Sequence, residues 1–285
     1  MAAIRYAKVH LITRAHGYDT TSKAQFATSR FNPAFLSWIV PAGLAKSSFR
    51  TGSAPYRQAV GIPSYFSPGP LWTQMAQAVP VVRLATINPH NGPATRPDWR
   101  YAEQVRNSQA AGLDVLGYVY TGYADGSRSI AAVAADIDKY YAWYAVDGIV
   151  FDEASTDCSR QPYYAVLNSY VKQKGGKAIT VLNPGTWTEE CYMTCADIII
   201  TFEDTYSAYI ARYRAPRWAR KYDPGRFWHL IHSTPTEEDM LHVVRLSKAR
   251  RAGWVYVTSD EMPNPWDTLP APAYWAAELE AVASD

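Results

Sequence analysis

Cysteine is scarce: the 285-residue sequence has only three, too few for a dense disulfide framework. Cys191 and Cys195 stand four apart, but no further cysteine or suitable histidine follows at zinc spacing, so these residues do not read as a metal site. The composition leaves room for one disulfide between neighbouring loops, with one thiol over, and the sequence does not choose the pair. An excess of charge is also missing. Twenty-eight Lys and Arg face 26 Asp and Glu, for a formal net charge of +2, and no long basic stripe marks a nucleic-acid partner. Lys248, Arg250 and Arg251 do cluster, at the predicted end of a helix, where cations suit the helix dipole. No apolar run approaches the length of a membrane-spanning helix, so no membrane partner is expected. Finally, Ser67-Pro68-Gly69-Pro70 is not the Gly-rich phosphate loop that would follow the first strand of a doubly wound sheet.

The chain is rich in apolar residues, at 48%, with ten Trp and 21 Tyr. That supports one large core, and α/β barrels commonly use about 250 residues as a single domain. Residues 1–58 lack sustained periodicity and read as an irregular, poorly ordered N-terminal extension. Met1 to His16 makes a poor signal peptide, whereas Phe35 to Ala45 resembles a signal h-region with a small-residue cleavage site. Residues 59–285 read as the folded domain.

From Gly61 onward, short β-branched runs alternate with longer amphipathic segments, eight times. The predicted strands are Gly61–Phe66, Val81–Asn88, Val115–Thr121, Gly148–Glu153, Ala178–Asn183, Ile198–Glu203, Phe227–Ser233 and Trp254–Asp260. Runs such as Ile198-Ile199-Ile200 suit parallel strands buried on both faces. Between them, Asp98, Ser129 and Thr236 are placed to cap helices. A longer helix is expected over Thr205 to Tyr222, with Asp204 as an alternative cap. The segment Gly185 to Ala196 predicts a short helix or none. Eight alternations argue for a closed (β/α)8 TIM barrel.

In such a barrel the active site lies at the carboxyl ends of the strands. Read there, the sequence supplies Asn88, Thr121, Asp152 with Glu153, Asn183, Glu203 with Asp204, His232 with Ser233, and Asp260. Carboxylates gathered on one rim fit glycoside hydrolysis, in which one acid donates a proton and the other attacks the anomeric carbon or activates water. Crowding like charges separates their pKa values. Asp152, Glu153 and Glu203 are therefore the catalytic candidates. Tyr65, Asn88, Tyr120, Tyr123, Asn183, Asp204, His232, Trp254 and Asp260 are the substrate-binding candidates. Tyr118, Trp187 and Tyr206 are also expected at or near the rim, with core filling the default for Tyr118 and Tyr120, which lie two apart and share a face. A metal-dependent hydrolase using Asp152, Glu203, His232 and Asp260 is disfavoured by the lack of a close His pair.

The order and spacing of several motifs resemble the spherulin-4 family. They are Gly61-Ile62-Pro63-Ser64-Tyr65, Ile87-Asn88-Pro89 with Gly92-Pro93, Gly117-Tyr118-Val119-Tyr120-Thr121, Gly148-Ile149-Val150-Phe151-Asp152-Glu153, Asn183-Pro184-Gly185, Glu203-Asp204 and Trp254-Val255-Tyr256-Val257-Thr258. The resemblance implies a secreted or cell-surface barrel glycosidase that cuts internal α-1,4 bonds in N-acetylgalactosamine-containing polysaccharide. Its acidic pair after the fourth strand maps onto Asp152 and Glu153, and its glutamate after the sixth onto Glu203. The expectation is a monomer with a polysaccharide substrate and no cofactor. The alternative is a non-catalytic wall or spore-coat protein that binds glycan on the same barrel.

Overall fold

The computed structural model of the chain describes residues 57–175 and 178–284. The predicted extension lies outside these residues except for its last two. Of those, Gln58 is buried and donates to Ser247 Oγ at 2.9 Å and to the Ala252 carbonyl at 2.7 Å.

Eight strands close into an all-parallel barrel in chain order. They are β1 (Ala59–Ile62), β2 (Val82–Ile87), β3 (Asp114–Tyr120), β4 (Gly148–Asp152), β5 (Ile179–Asn183), β6 (Ile198–Thr205), β7 (Phe227–His232) and β8 (Trp254–Val257). Pairing of Ala59 with Trp254 closes the ring. Seven α-helices run outside among the described residues: α1 (Pro70–Gln77), α2 (Trp99–Ala111), α3 (Ile130–Tyr144), α4 (Gln161–Lys172), α5 (Tyr206–Arg212), α6 (Glu237–Ala249) and α7 (Pro272–Ala283). None of the described helices is long and apolar enough to cross a membrane.

The expected caps are present. Asp98 accepts from Arg100 N, Ser129 from Ala132 N and Thr236 from Asp239 N, satisfying amides that have no partner within the helix. On α3 the buried stripe is Val133, Ile137, Tyr140 and Tyr144. Gly117 lets this helix approach, since a Cβ there would lie 2.5 Å from the Tyr140 ring.

Three elements end more than two residues from expectation, each for a local reason. β1 starts earlier and stops at Ile62, because Pro63 has no N–H for the ladder. β8 ends at Val257 rather than Asp260, where Thr258 Oγ1 instead accepts from Asp260 N at 3.0 Å. The long helix expected to Tyr222 is only α5, followed by a 3₁₀ segment at Arg217–Lys221. Pro216 intervenes, and proline disfavours helical geometry in the residue before it. Between β5 and β6 there is only a 3₁₀ segment, Glu190–Thr194.

Candidate active site

Asp152 and Asn183 are the last residues of β4 and β5 and lie side by side in register. Glu203 comes from β6, just past a register shift between Ile200 and Phe202. A bulge of this kind re-aims the side chains beyond it. The result brings the three together. Asn183 Nδ2 donates to Asp152 Oδ1 at 2.9 Å and to Glu203 Oε2 at 2.6 Å. Asn183 Oδ1 accepts from Gly185 N at 2.9 Å, which fixes the amide so that its nitrogen faces the two acids.

The outer oxygens of both acids are held as well. Tyr118 Oη donates to Asp152 Oδ2 at 2.6 Å, and Trp266 Nε1 donates to Glu203 Oε1 at 3.1 Å. Burial, then the nearby Asp152 charge, pushes the Tyr118 phenol far above its ordinary range, so it remains a neutral donor. Tyr65 packs edge-on against Tyr118 with ring centroids 5.5 Å apart. Its own phenol is pushed up by burial and then by the charges of Asp152 and Glu203.

Glu153 follows with φ 53°, a left-handed conformation that is costly for a side-chain-bearing residue. Thr121 supports the bend, its Oγ1 reaching the carbonyls of Asp152 and Glu153 at 3.0 and 2.9 Å. Tyr123 N donates to the Glu153 carbonyl at 2.6 Å. The Tyr123 side chain is 57% exposed, and its phenol is pushed up by burial and then by Glu153 and Asp152. Tyr123 is thus an exposed ring beside the acids.

The remaining candidates fall into other surroundings. Asn88 Oδ1 accepts from Gly92 N at 2.9 Å, closing a turn. Tyr120 carries the Arg128 guanidinium 4.2 Å from its ring centre. Asp204 pairs with Arg212 at 2.9 Å, and the capping role passes to Thr205, which accepts from Ala208 N at 3.2 Å. His232 is buried, bonded through Nδ1 to Ser233 Oγ at 2.9 Å, and edge-on to Trp266. Burial pulls its pKa down. Asp260 Oδ1 accepts from Glu261 N at 2.9 Å within a polar turn. Trp254 corrects the expectation outright. It is the first residue of β8, at the amino-terminal end of the barrel, and donates to the Gly225 carbonyl. Trp187 packs among Tyr213, Trp218 and Phe227, and Tyr206 meets His242.

Two site residues escaped the sequence reading. Tyr118, for which core filling is the default expectation, is buried but turns its hydroxyl onto Asp152. Trp266 lies beyond the last strand in the loop before α7, where no strand-end rule finds it. The disulfide joins Cys158 to Cys191. Cys195 is free and buried, its thiol pushed up to about 12 by burial.

A closed (β/α)8 barrel with carboxylates bridged at the carboxyl ends of its strands is a glycosidase-like barrel. Within that class the chain belongs to Spherulation-specific family 4, whose profile matches residues 59–282. It is 33% identical to Spherulin-4 of Physarum polycephalum over 238 residues, covering 79% of this chain and 70% of that one. It is also similar to the crystal structure of Aspergillus clavatus Sph3 in complex with GalNAc, with 26% identity and a TM-score of 0.71, covering 81% of this chain and 99% of that chain. A Thermobaculum terrenum O-GlcNAc hydrolase variant, 9% identical with a TM-score of 0.51 over 80% of this chain and 60% of its own, shares the fold alone.

Proposed function

We propose that the protein is an endo-acting glycoside hydrolase of α-1,4-linked N-acetylgalactosamine or galactosamine polysaccharide, working by carboxylate chemistry without a cofactor. The observation that carries this reading is the single nitrogen shared by Asp152 and Glu203. Two oxygens bonded to one nitrogen lie no farther apart than the two bonds laid end to end. That ceiling falls short of the about 6.5–9.5 Å spacing of inverting glycosidases and is compatible with the about 5–5.5 Å of retaining ones, which supports retention. The GalNAc held by the Sph3 relative supports the sugar class.

In this mechanism Asp152 attacks the anomeric carbon, or stabilises the positive charge developing there. Glu203 gives its proton to the leaving oxygen as the glycosidic bond breaks, then takes a proton from the water that releases the product. Glu153 shapes the field and touches substrate, and Tyr65 and Tyr123 offer ring faces to sugars. A secreted or cell-surface protein is part of the proposal, and the Cys158–Cys191 disulfide suits an oxidising compartment.

The test is product analysis on a galactosaminogalactan-type polymer and on a defined amino-sugar oligomer series. New reducing ends from internal cuts, with the α configuration kept in the first product, are expected. Binding without cleavage of any amino-sugar polymer would instead make the barrel a glycan-binding module.

A further inference from the structure

At the amino-terminal side of β7, well away from the carboxylates at the strand ends, a cavity of about 540 Å³ lies between the segment after α5 and the end of α6. Its charged lining consists of five arginines: Arg214, Arg217, Arg220, Arg250 and Arg251. No Asp or Glu lines it among the described residues, in a chain whose charges otherwise nearly balance.

Three of the five are fixed without being neutralised. Arg250 donates to the Tyr209 carbonyl at 2.8 Å and lies over the Tyr209 and Tyr213 rings. Arg251 donates to the Tyr222 carbonyl at 3.0 Å and Arg214 to the Tyr213 carbonyl at 2.7 Å. Each carbonyl takes one donor of a guanidinium that has five. Arg217 and Arg220 are exposed and have no hydrogen-bond or ion-pair partner among the described residues. They lie three apart on a 3₁₀ segment, where side chains at that spacing eclipse. Like charges so placed repel, and an oxyanion between them relieves the repulsion.

We infer that this cavity binds an anionic glycan, its carboxylate or sulfate groups gripped by the arginine forks. Guanidinium groups match the planar, two-point geometry of these oxyanions. The volume lies within the about 300–1,000 Å³ of small-ligand clefts, roomier than one free ion requires. The aromatic residues that line it, Tyr213 and Phe227, are buried, so it lacks the exposed stacking platforms with which proteins hold single-stranded nucleic acid. The site is independent of the proposed hydrolysis and would serve to keep the protein on an acidic surface polymer.

The test is calorimetric titration of the full chain with oligogalacturonate, with a sulfated oligosaccharide, with inorganic phosphate and with an oligothymidylate of matched charge. Saturable binding of either glycan is expected, weakening as salt is added. An Arg217→Gln/Arg220→Gln variant should bind it about tenfold or more weakly, the scale of a lost charge-assisted contact, with unchanged cleavage of neutral substrate. Which glycan binds names the oxyanion. Any of four results would overturn the inference: no glycan binding, an equal affinity in the double variant, an equal loss on Arg106→Gln on the exposed side of α2, or tighter binding of phosphate or oligothymidylate than of either glycan.

Discussion

Asp152 and Glu203 accept hydrogen bonds from one and the same nitrogen, Nδ2 of Asn183, at 2.9 and 2.6 Å. Both amide hydrogens are thereby committed, one to each acid, and the spacing of the acids is set by a single side chain. Asn183→Ala removes the bridge without adding charge. Its expected effect is a loss of about 10- to 100-fold in kcat, the size of one or two charge-assisted bonds, with KM nearly unchanged because the residue positions rather than binds. Asn183→Asp should be worse, since it sets a third carboxylate between two. Steady-state kinetics on a defined oligomer check both, and a change confined to KM would make Asn183 a substrate ligand instead.

Asp152→Asn and Glu203→Gln keep shape and remove the acid. Each is expected to lower turnover by about 10²-fold or more, the range for a positioned acid or base, while thermal melts and circular dichroism stay close to the parent protein. Asn and Gln retain acceptor oxygens, so part of the network around Tyr118, Asn183 and Trp266 survives. An undiminished rate in either variant removes that residue from the mechanism.

The acids were legible in the sequence because a barrel puts strand ends on one rim, and Asp152, Asn183 and Glu203 each end an apolar run. What the sequence hid was direction. Trp254 is different: it opens the predicted strand Trp254–Asp260 as it opens β8, so the strand-end rule itself places it at the opposite mouth, and only its aromatic ring suggests the rim. Asp204 sits beside Glu203 in the sequence, yet alternation along β6 sends it to Arg212. The bulge at Thr201, which decides which of the two acids faces Asn183, leaves no mark in the alternation of a run buried on both faces. Trp266 reaches Glu203 from a loop, and loop contacts carry no periodicity to read.

Glu278 of α7 is fully buried. Its Oε1 accepts from Val257 N at 2.8 Å, and Oε2 has no partner among the described residues. Burial pushes its carboxyl well above the ordinary 4.5. The unfolded chain therefore loses this proton near pH 4.5 while the folded chain keeps it. Stability from the neutral form is complete below that pH and is lost as pH rises toward the folded value. Glu278→Gln stays neutral throughout, so its melting temperature should match the parent at pH 4 and exceed it at pH 8. His229, its pKa drawn down to about 3 by burial, loses stability in the opposite direction as pH falls, equally in both proteins, and cancels from the difference. Parallel melting curves would show that Glu278 is ionised in the fold.

Trp266 ties the carboxylate rim to the loop between β8 and α7. Its ring is buried, with centroids 6.0 Å from His232 and 5.9 Å from Tyr256, and its only polar atom points at Glu203 Oε1. Glu203 is thus held from two sides, by Asn183 on β5 and by an indole from a different element, and either tether alone leaves the carboxylate free to rotate about its last bond. Trp266→Phe keeps most of the apolar ring and removes the donor. The expected outcome is a kcat lowered about tenfold, in keeping with one lost charge-assisted bond, with a modest drop in melting temperature from the smaller ring. Because both tethers act on one group, their effects should not add. The Asn183→Ala/Trp266→Phe double variant should depart from the sum of the singles, as residues in one hydrogen-bonded network do. Strict additivity in kcat would mean that the indole packs the loop and does nothing to aim the acid.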